Sequence, residues 1–129
     1  MPYMNAGINS SQTIIGISNA AISSPAMLGF AANANGKLVI PTAGAPVLGF
    51  ALPSEDAVEA NGQITLQVKD IGYAIAGAVI KLGDELMIDA TGKVIPATAT
   101  KAIVGVAYAA AAANGVVSIM ITRGGYKPA

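Results

Sequence analysis

One β unit is written twice along this chain, and the duplication limits the folds open to it. The second copy is the clearer. Leu86-Met87-Ile88 is a short apolar run, Asp89-Ala90-Thr91-Gly92 a turn, and Lys93-Val94-Ile95-Pro96 a second short strand. Ile103 to Tyr108 and Val116 to Ile121 are two further apolar runs, with Asn114-Gly115 between them. Asn-Gly marks a reversal, because both residues tolerate the positive φ that tight hairpin turns require. Upstream, Asn33 to Pro41 repeats the turn and its strand, and Val47-Leu48-Gly49-Phe50-Ala51 matches Ile103-Val104-Gly105-Val106-Ala107. Asn61-Gly62 then precedes Ile64, Leu66 and Val68 in strict alternation, as Asn114-Gly115 precedes the final strand. Leu28-Gly29 before the first copy also echoes Leu82-Gly83 before the second. The order of features is the same and the spacing slips only in loops, the mark of a pseudo-repeat.

Two copies of one β unit predict an all-β chain. The expected fold is a small single-domain β-sandwich or barrel with pseudo-twofold symmetry, its repeats at about 28–70 and 82–124. Two separate domains of about fifty residues would bury too little surface to stand alone. Paired strands are expected around 47–51, 64–68, 103–108 and 116–121. Ala74 to Ile80 reads as a small-residue joint between the copies. Ala109 to Ala113 reads as a helical turn or tight loop, too short for an independent helix. Gly49 and Gly105 read as close-packing positions at equivalent places in the two copies.

Ahead of the repeats, Met1 to Ile17 reads as an extended N-terminal arm, with residues 18–129 as the β domain. The arm carries no charge, and Ile14, Ile15 and Ile17 cluster at its end. Alone, such a segment cannot offset the roughly 1–2 kcal/mol per residue of backbone ordering. Laid along a neighbouring subunit as an extra strand, it could bury those isoleucines, which makes all three candidate attachment residues. The alternative is that Thr13 to Ile17 is the first strand of the domain's own sheet.

Composition removes most chemistry. Charged residues are 11% of the 129, and seven basic and seven acidic side chains cancel. A neutral chain has no electrostatic reason to seek nucleic acid, where affinity comes largely from neutralising phosphates. There is no Cys and no His. That excludes disulfides, thiolate nucleophiles and the usual zinc ligands. A serine nucleophile would need a lysine base, and no Ser-x-x-Lys pairing occurs. No glycine-rich phosphate loop is present. A sugar-cleaving site would want an aromatic-lined cleft, but there is no Trp, and Tyr3, Tyr73, Tyr108 and Tyr126 are dispersed in sequence. The acids Glu55, Asp56 and Glu59, like Asp84, Glu85 and Asp89, lack ordered ligand spacing and read as solvated loops. Neither enzymatic activity nor a cofactor is expected.

Low charge with a mean hydropathy of +0.60 raises the question of a membrane span. Ala102 to Thr122 is uncharged over about the 20 residues a spanning helix needs. Yet Asn114-Gly115 interrupts it, and the first copy has Glu55, Asp56, Gln63 and Gln67 at matching places. A hairpin explains both copies and a span only one, so no membrane partner is expected. The uncharged N-terminus also lacks the positive region of a secretory signal.

The run from Gly83 to Ile121 resembles the C-terminal half of the capsid cement, or head decoration, family of tailed bacteriophages. Gly83, Asp84, Asp89, Gly92, Lys93, Gly105, Val106, Ala107 and Gly115 fill the places of that family's pattern. Val47 to Ala51, a Gly-ended turn and Ile64 to Val68 fit its first half, so the likeness covers about residues 25–122. The long uncharged start departs from the short, charged one usual there. The resemblance implies a small β protein on the outer surface of an icosahedral phage head. It would bind the major capsid protein and stabilise contacts between its subunits, alone or with copies of itself as a trimer. It supplies no catalytic residues. A β-rich subunit of another assembly, such as a tail or head fibre, remains an alternative, as do a non-catalytic binding module and a small membrane-associated protein. On every reading but the last the far-ultraviolet circular dichroism of the purified chain should be that of β-structure, and a helix-dominated spectrum would contradict the repeat.

Overall fold

Both Asn-Gly pairs reverse the chain as their chemistry demands. Asn61 and Asn114 hold φ of 68° and 67°, in the left-handed region that Asn tolerates. Gly62 N donates to Glu59 O at 2.8 Å and Gly115 N to Ala112 O at 3.0 Å. These turns organise a computed structural model that describes residues 12–128. Its strands fall in two sets of five. The first set is β1 (Thr13–Ile17), β2 (Gly29–Ala32), β3 (Leu38–Val39), β4 (Gly49–Ala51) and β5 (Gln63–Gln67). The second is β6 (Asp70–Ile75), β7 (Glu85–Ile88), β8 (Val94–Pro96), β9 (Gly105–Ala107) and β10 (Val116–Ile121). Among the described residues there is no helix. The expected all-β fold is the one observed.

Each set makes one antiparallel sheet, and the two orders correspond: β1-β5-β4-β2-β3 and β6-β10-β9-β7-β8. Each sheet also curls back on itself. One parallel bridge, Ser18 to Leu38 in the first and Ala76 to Val94 in the second, ties the first strand's end to the last strand. Gly49 stands opposite Phe30 and Gly105 opposite Leu86, at the same place in the two ladders. Both glycines serve the same purpose. A Cβ on Gly105 would lie 3.0 Å from Met120 O, and one on Gly49 would strike Gln67 O, the counterpart atom.

The repeat is longer than the sequence reading drew it. Asp70 to Ile75, part of it read as a joint, is β6, and it pairs with β10 from Asp70↔Ile121 to Ile75↔Val116. Its counterpart is β1, which pairs with β5 from Thr13↔Gln67 to Ile17↔Gln63. The last part of the expected arm is therefore an edge strand of the domain's own sheet, while residues 1–11 lie outside the described residues. The Leu-Gly echo is out of register. Met27 and Gly83, with φ of 62° and 89°, are the true counterparts, their N–H groups donating to Ala51 O and Ala107 O.

The relation between the copies is not twofold. Gly44 and Thr100 close equivalent turns with φ of 80° and 69°. Gly44 N donates to Ile88 O of the other copy at 2.9 Å, but Thr100 N donates to Lys127 O at 2.8 Å, in the segment after β10. The cross-copy contact is head-to-tail, and the reciprocal place is taken by the C-terminal segment.

Two apolar clusters fill the interior. Phe30, Leu38, Ile64 and Leu66 form the first, closed off by Ile75 from β6. Leu86, Ile88, Val94, Val117 and Ile119 form the second, and Val47 and Phe50 of the first copy enter it. Because each cluster borrows from the other copy, the two should unfold together. Phe50→Ala should cost about 3–5 kcal/mol in chemical denaturation, within one cooperative transition. Two separate transitions in the parent protein would show the copies to be independent.

Candidate functional site

The exposed edge of the first sheet is built by β1. Ser18 N donates to Gly62 O and Asn61 N to Ser18 O, both at 2.8 Å, while Val68 N donates to Gln12 O at 3.3 Å. The even-numbered residues thus turn their backbone groups toward β5. By the alternation of an antiparallel ladder, Thr13, Ile15 and Ile17 turn theirs the other way. Side chains alternate as well. Ile15 and Ile17 share one face and are 65% and 36% exposed, whereas Ile14, 40% exposed, lies on the face of Gly16 and Ser18. The three isoleucines do not form a single cluster. On Ile14's side the curl closes so tightly that a Cβ on Gly16 would lie 2.6 Å from Leu38 Cδ1.

The polar residues of the repeat pattern prove to be braces. Asn33 Oδ1 accepts from Asn35 N at 2.9 Å and Lys37 N at 3.0 Å; Asp89 Oδ1 accepts from Thr91 N at 2.8 Å and Lys93 N at 3.0 Å. Such Asx turns fix the loop before β3 and β8. The lysine that follows then reaches the distant turn, Lys37 Nζ donating to Asn61 Oδ1 at 2.8 Å and Lys93 Nζ to Asn114 Oδ1 at 2.9 Å. Three of the other acids are engaged within the fold. Glu55 Oε1 accepts from Thr65 N at 2.6 Å, Asp84 Oδ2 from Lys81 N at 2.9 Å, and Glu85 pairs with Lys127 at 2.8 Å. That ion pair is half-exposed and contributes little. Among the described residues no group of three or more acids is placed to hold a metal ion, and no helix is long and apolar enough to cross a membrane.

Dispersal in sequence misled for two tyrosines. Tyr73 and Tyr108 stand on either side of Ser118 on one sheet face, Tyr73 opposite it in the ladder and Tyr108 N donating to Ser118 O at 2.8 Å. Extending the repeat back to β1 and β6 would have placed Tyr73 on an outward position beside β10.

The exposed large hydrophobic side chains of this braced β module are aliphatic, methionine or tyrosine. The model of the phage cement protein family matches residues 8–122, and the chain belongs to that family. It is a structural protein of the virion, a capsid decoration protein on the outside of the phage head. No curated protein matches the chain in sequence. The fold is similar to that of the crystal structure of the head fiber gp8.5 N base in bacteriophage phi29. The TM-score is 0.67 and the identity 17%, over 87% of this chain and 94% of that one.

The turn chemistry is directly testable. Asn61→Ala or Asn114→Ala should cost about 1–2 kcal/mol, because alanine resists the left-handed region, while Asn→Gly at either place should stay within a few tenths. Equal losses for the Ala and Gly variants would mean that the lysine contact, and not φ, holds the turn.

Proposed function

We propose that this decoration protein attaches to the major capsid protein through its N-terminal segment, Met1 to Ile17, and so braces contacts between neighbouring capsid subunits. Ile14, Ile15 and Ile17 are its apolar contacts. The β1 edge carries the reading. It combines exposed isoleucines with backbone groups turned away from the sheet, as strand addition requires. A strand of the shell laid along this edge would gain main-chain hydrogen bonds and cover Ile15 and Ile17. Ile14, on the opposite face, meets a neighbour that wraps around the edge. The role needs contact area and no reaction: the protein acts without catalysis, cofactor, nucleic acid or membrane. Its remaining partners are copies of itself.

Cosedimentation with empty heads tests the reading. The double variant Ile15→Lys/Ile17→Lys should keep its thermal midpoint within a few degrees, since both positions are exposed. It should bind at least about tenfold more weakly, because lysines in a closed contact would be unpaired charges. Removal of Met1 to Gln12 should also weaken binding while the rest stays folded. Undiminished binding by both proteins would overturn the proposal.

A further inference from the structure

We infer that the outer face of the second sheet is a separate contact surface, and that its occupant is another copy of this chain. Three cross-strand rows build the face: Ile71, Met120 and Val106; Tyr73, Ser118 and Tyr108; and Ile75 with Val116. Ile71, Tyr73, Tyr108, Val116 and Met120 are between 41% and 54% exposed. No charged side chain stands within these rows. Glu85, across from Val106, is already paired to Lys127 at the border. Contiguous apolar area of this kind on a sheet marks an interaction site.

The first copy shows what fits there. Its counterpart rows are Thr13, Gln67 and Phe50; Ile15, Thr65 and Leu52; and Ile17 with Gln63. The row of Gln67 and Phe50 is closed over by a β unit of the same fold, the second copy. Phe50 is 1% exposed within that copy's core, and Gln67, 8% exposed, donates from Nε2 to Lys69 O at 2.8 Å and Ile71 O at 3.0 Å. Beyond the covered row the central strand is polar, with Thr65 and Gln63. The second sheet keeps the geometry but replaces Gln67 with Met120 and Gln63 with Val116, extending the apolar character past the row that the joint covers. Because the copies meet head-to-tail, the joint that buries Phe50 is not reciprocated on Val106. Ile75, at one end of the face, packs against the first cluster, but Ile71, Tyr73, Tyr108 and Met120 in the other two rows stay 41–51% exposed, so that part of the face is open. A further unit of the same fold matches it, and another copy of this chain supplies one. Head-to-tail contacts of this kind close into a ring or propagate. The inference does not depend on which strand meets the shell.

Sedimentation velocity over a concentration series of the purified chain, without heads, tests this. The parent protein should sediment as more than one copy. Tyr73→Lys and Met120→Lys should each raise the dissociation constant by about a hundredfold or more, since each would bury an unpaired charge, and leave a single folded copy. Gln63→Lys, on the polar face of the first sheet, should associate like the parent. Should a lysine variant lose its β spectrum, Tyr73→Ser and Met120→Ser provide the same comparison. A parent protein that remains a single copy throughout overturns the inference, as does association unchanged in folded face variants. Single-copy parent protein whose face variants lose head binding would assign the face to the shell instead. Loss of head binding by the β1 variants with self-association intact would leave the two surfaces distinct.

Discussion

Phe50 is where two small β units become one body. It projects from β4 of the first copy into the cluster formed by Leu86, Ile88 and Val94 of the second. The space it enters is made by a missing side chain: a Cβ on Gly29 would lie 2.5 Å from Ile88 Cδ1 and 3.3 Å from the Phe50 ring. Gly29 N then donates to Gly92 O across the joint at 2.9 Å. The chain has only two phenylalanines and no tryptophan, so a fully buried ring contributes disproportionately to a core of Ala, Val, Ile and Leu. Strands of two to six residues would not hold a core separately. Fusing the clusters through one aromatic side chain removes the need.

Much of this was legible because turns carry their instructions locally. Asn-Gly, Asn33 to Gly36 and Asp89 to Gly92 announce their backbone conformations by residue type, and the strands between them follow. Capsid family membership was legible for the same reason, since its pattern consists of those turns and the small residues between them. Less legible was the first strand of each copy: Thr13 to Ile17 stood only as the alternative to an arm, and Asp70 to Ile75 did not read as a strand. Thr13 to Ile17 and Asp70 to Ile75 share almost no residues, with Gly16 matched by Ala74 and Ile14 by Gly72. The pairing partner dictates those positions, and partners are not visible in sequence. The register error at Leu28-Gly29 has a similar origin. Composition suggested a match where backbone conformation, positive φ at Met27 and Gly83, holds the true one.

Duplication also explains why the copies diverged. A head-to-tail joint gives each copy a different environment, so equivalent positions meet different neighbours. Gly44 bonds to the second copy, whereas Thr100 bonds to the chain after β10. Ala102 and Tyr126 bridge there as well, and Lys127 reaches Glu85. This short segment seals one border of the second copy much as the second copy seals the first. Between that border and β6 lies the uncharged face with Tyr73 and Tyr108.

An exposed edge strand is ordinarily a liability, because unpaired backbone groups recruit any extended chain. This fold restricts the opening. The parallel bridges at Ser18 and Ala76 tie the ends of β1 and β6 to β3 and β8, so each sheet curls shut at that end. In β1 and β6 it is the stretches before the bridges that present an edge, and these carry Ile15 and Tyr73, counterparts in the repeat. Edges blunted by charge would resist misassembly but would equally oppose the apolar contact proposed for β1. On the attachment proposed above, the β1 edge has to be exposed in the folded protein before it meets the shell. Short edges, curled sheets and turns braced by lysine make that exposure tolerable, because they limit the open backbone of β1 and β6 to a few residues.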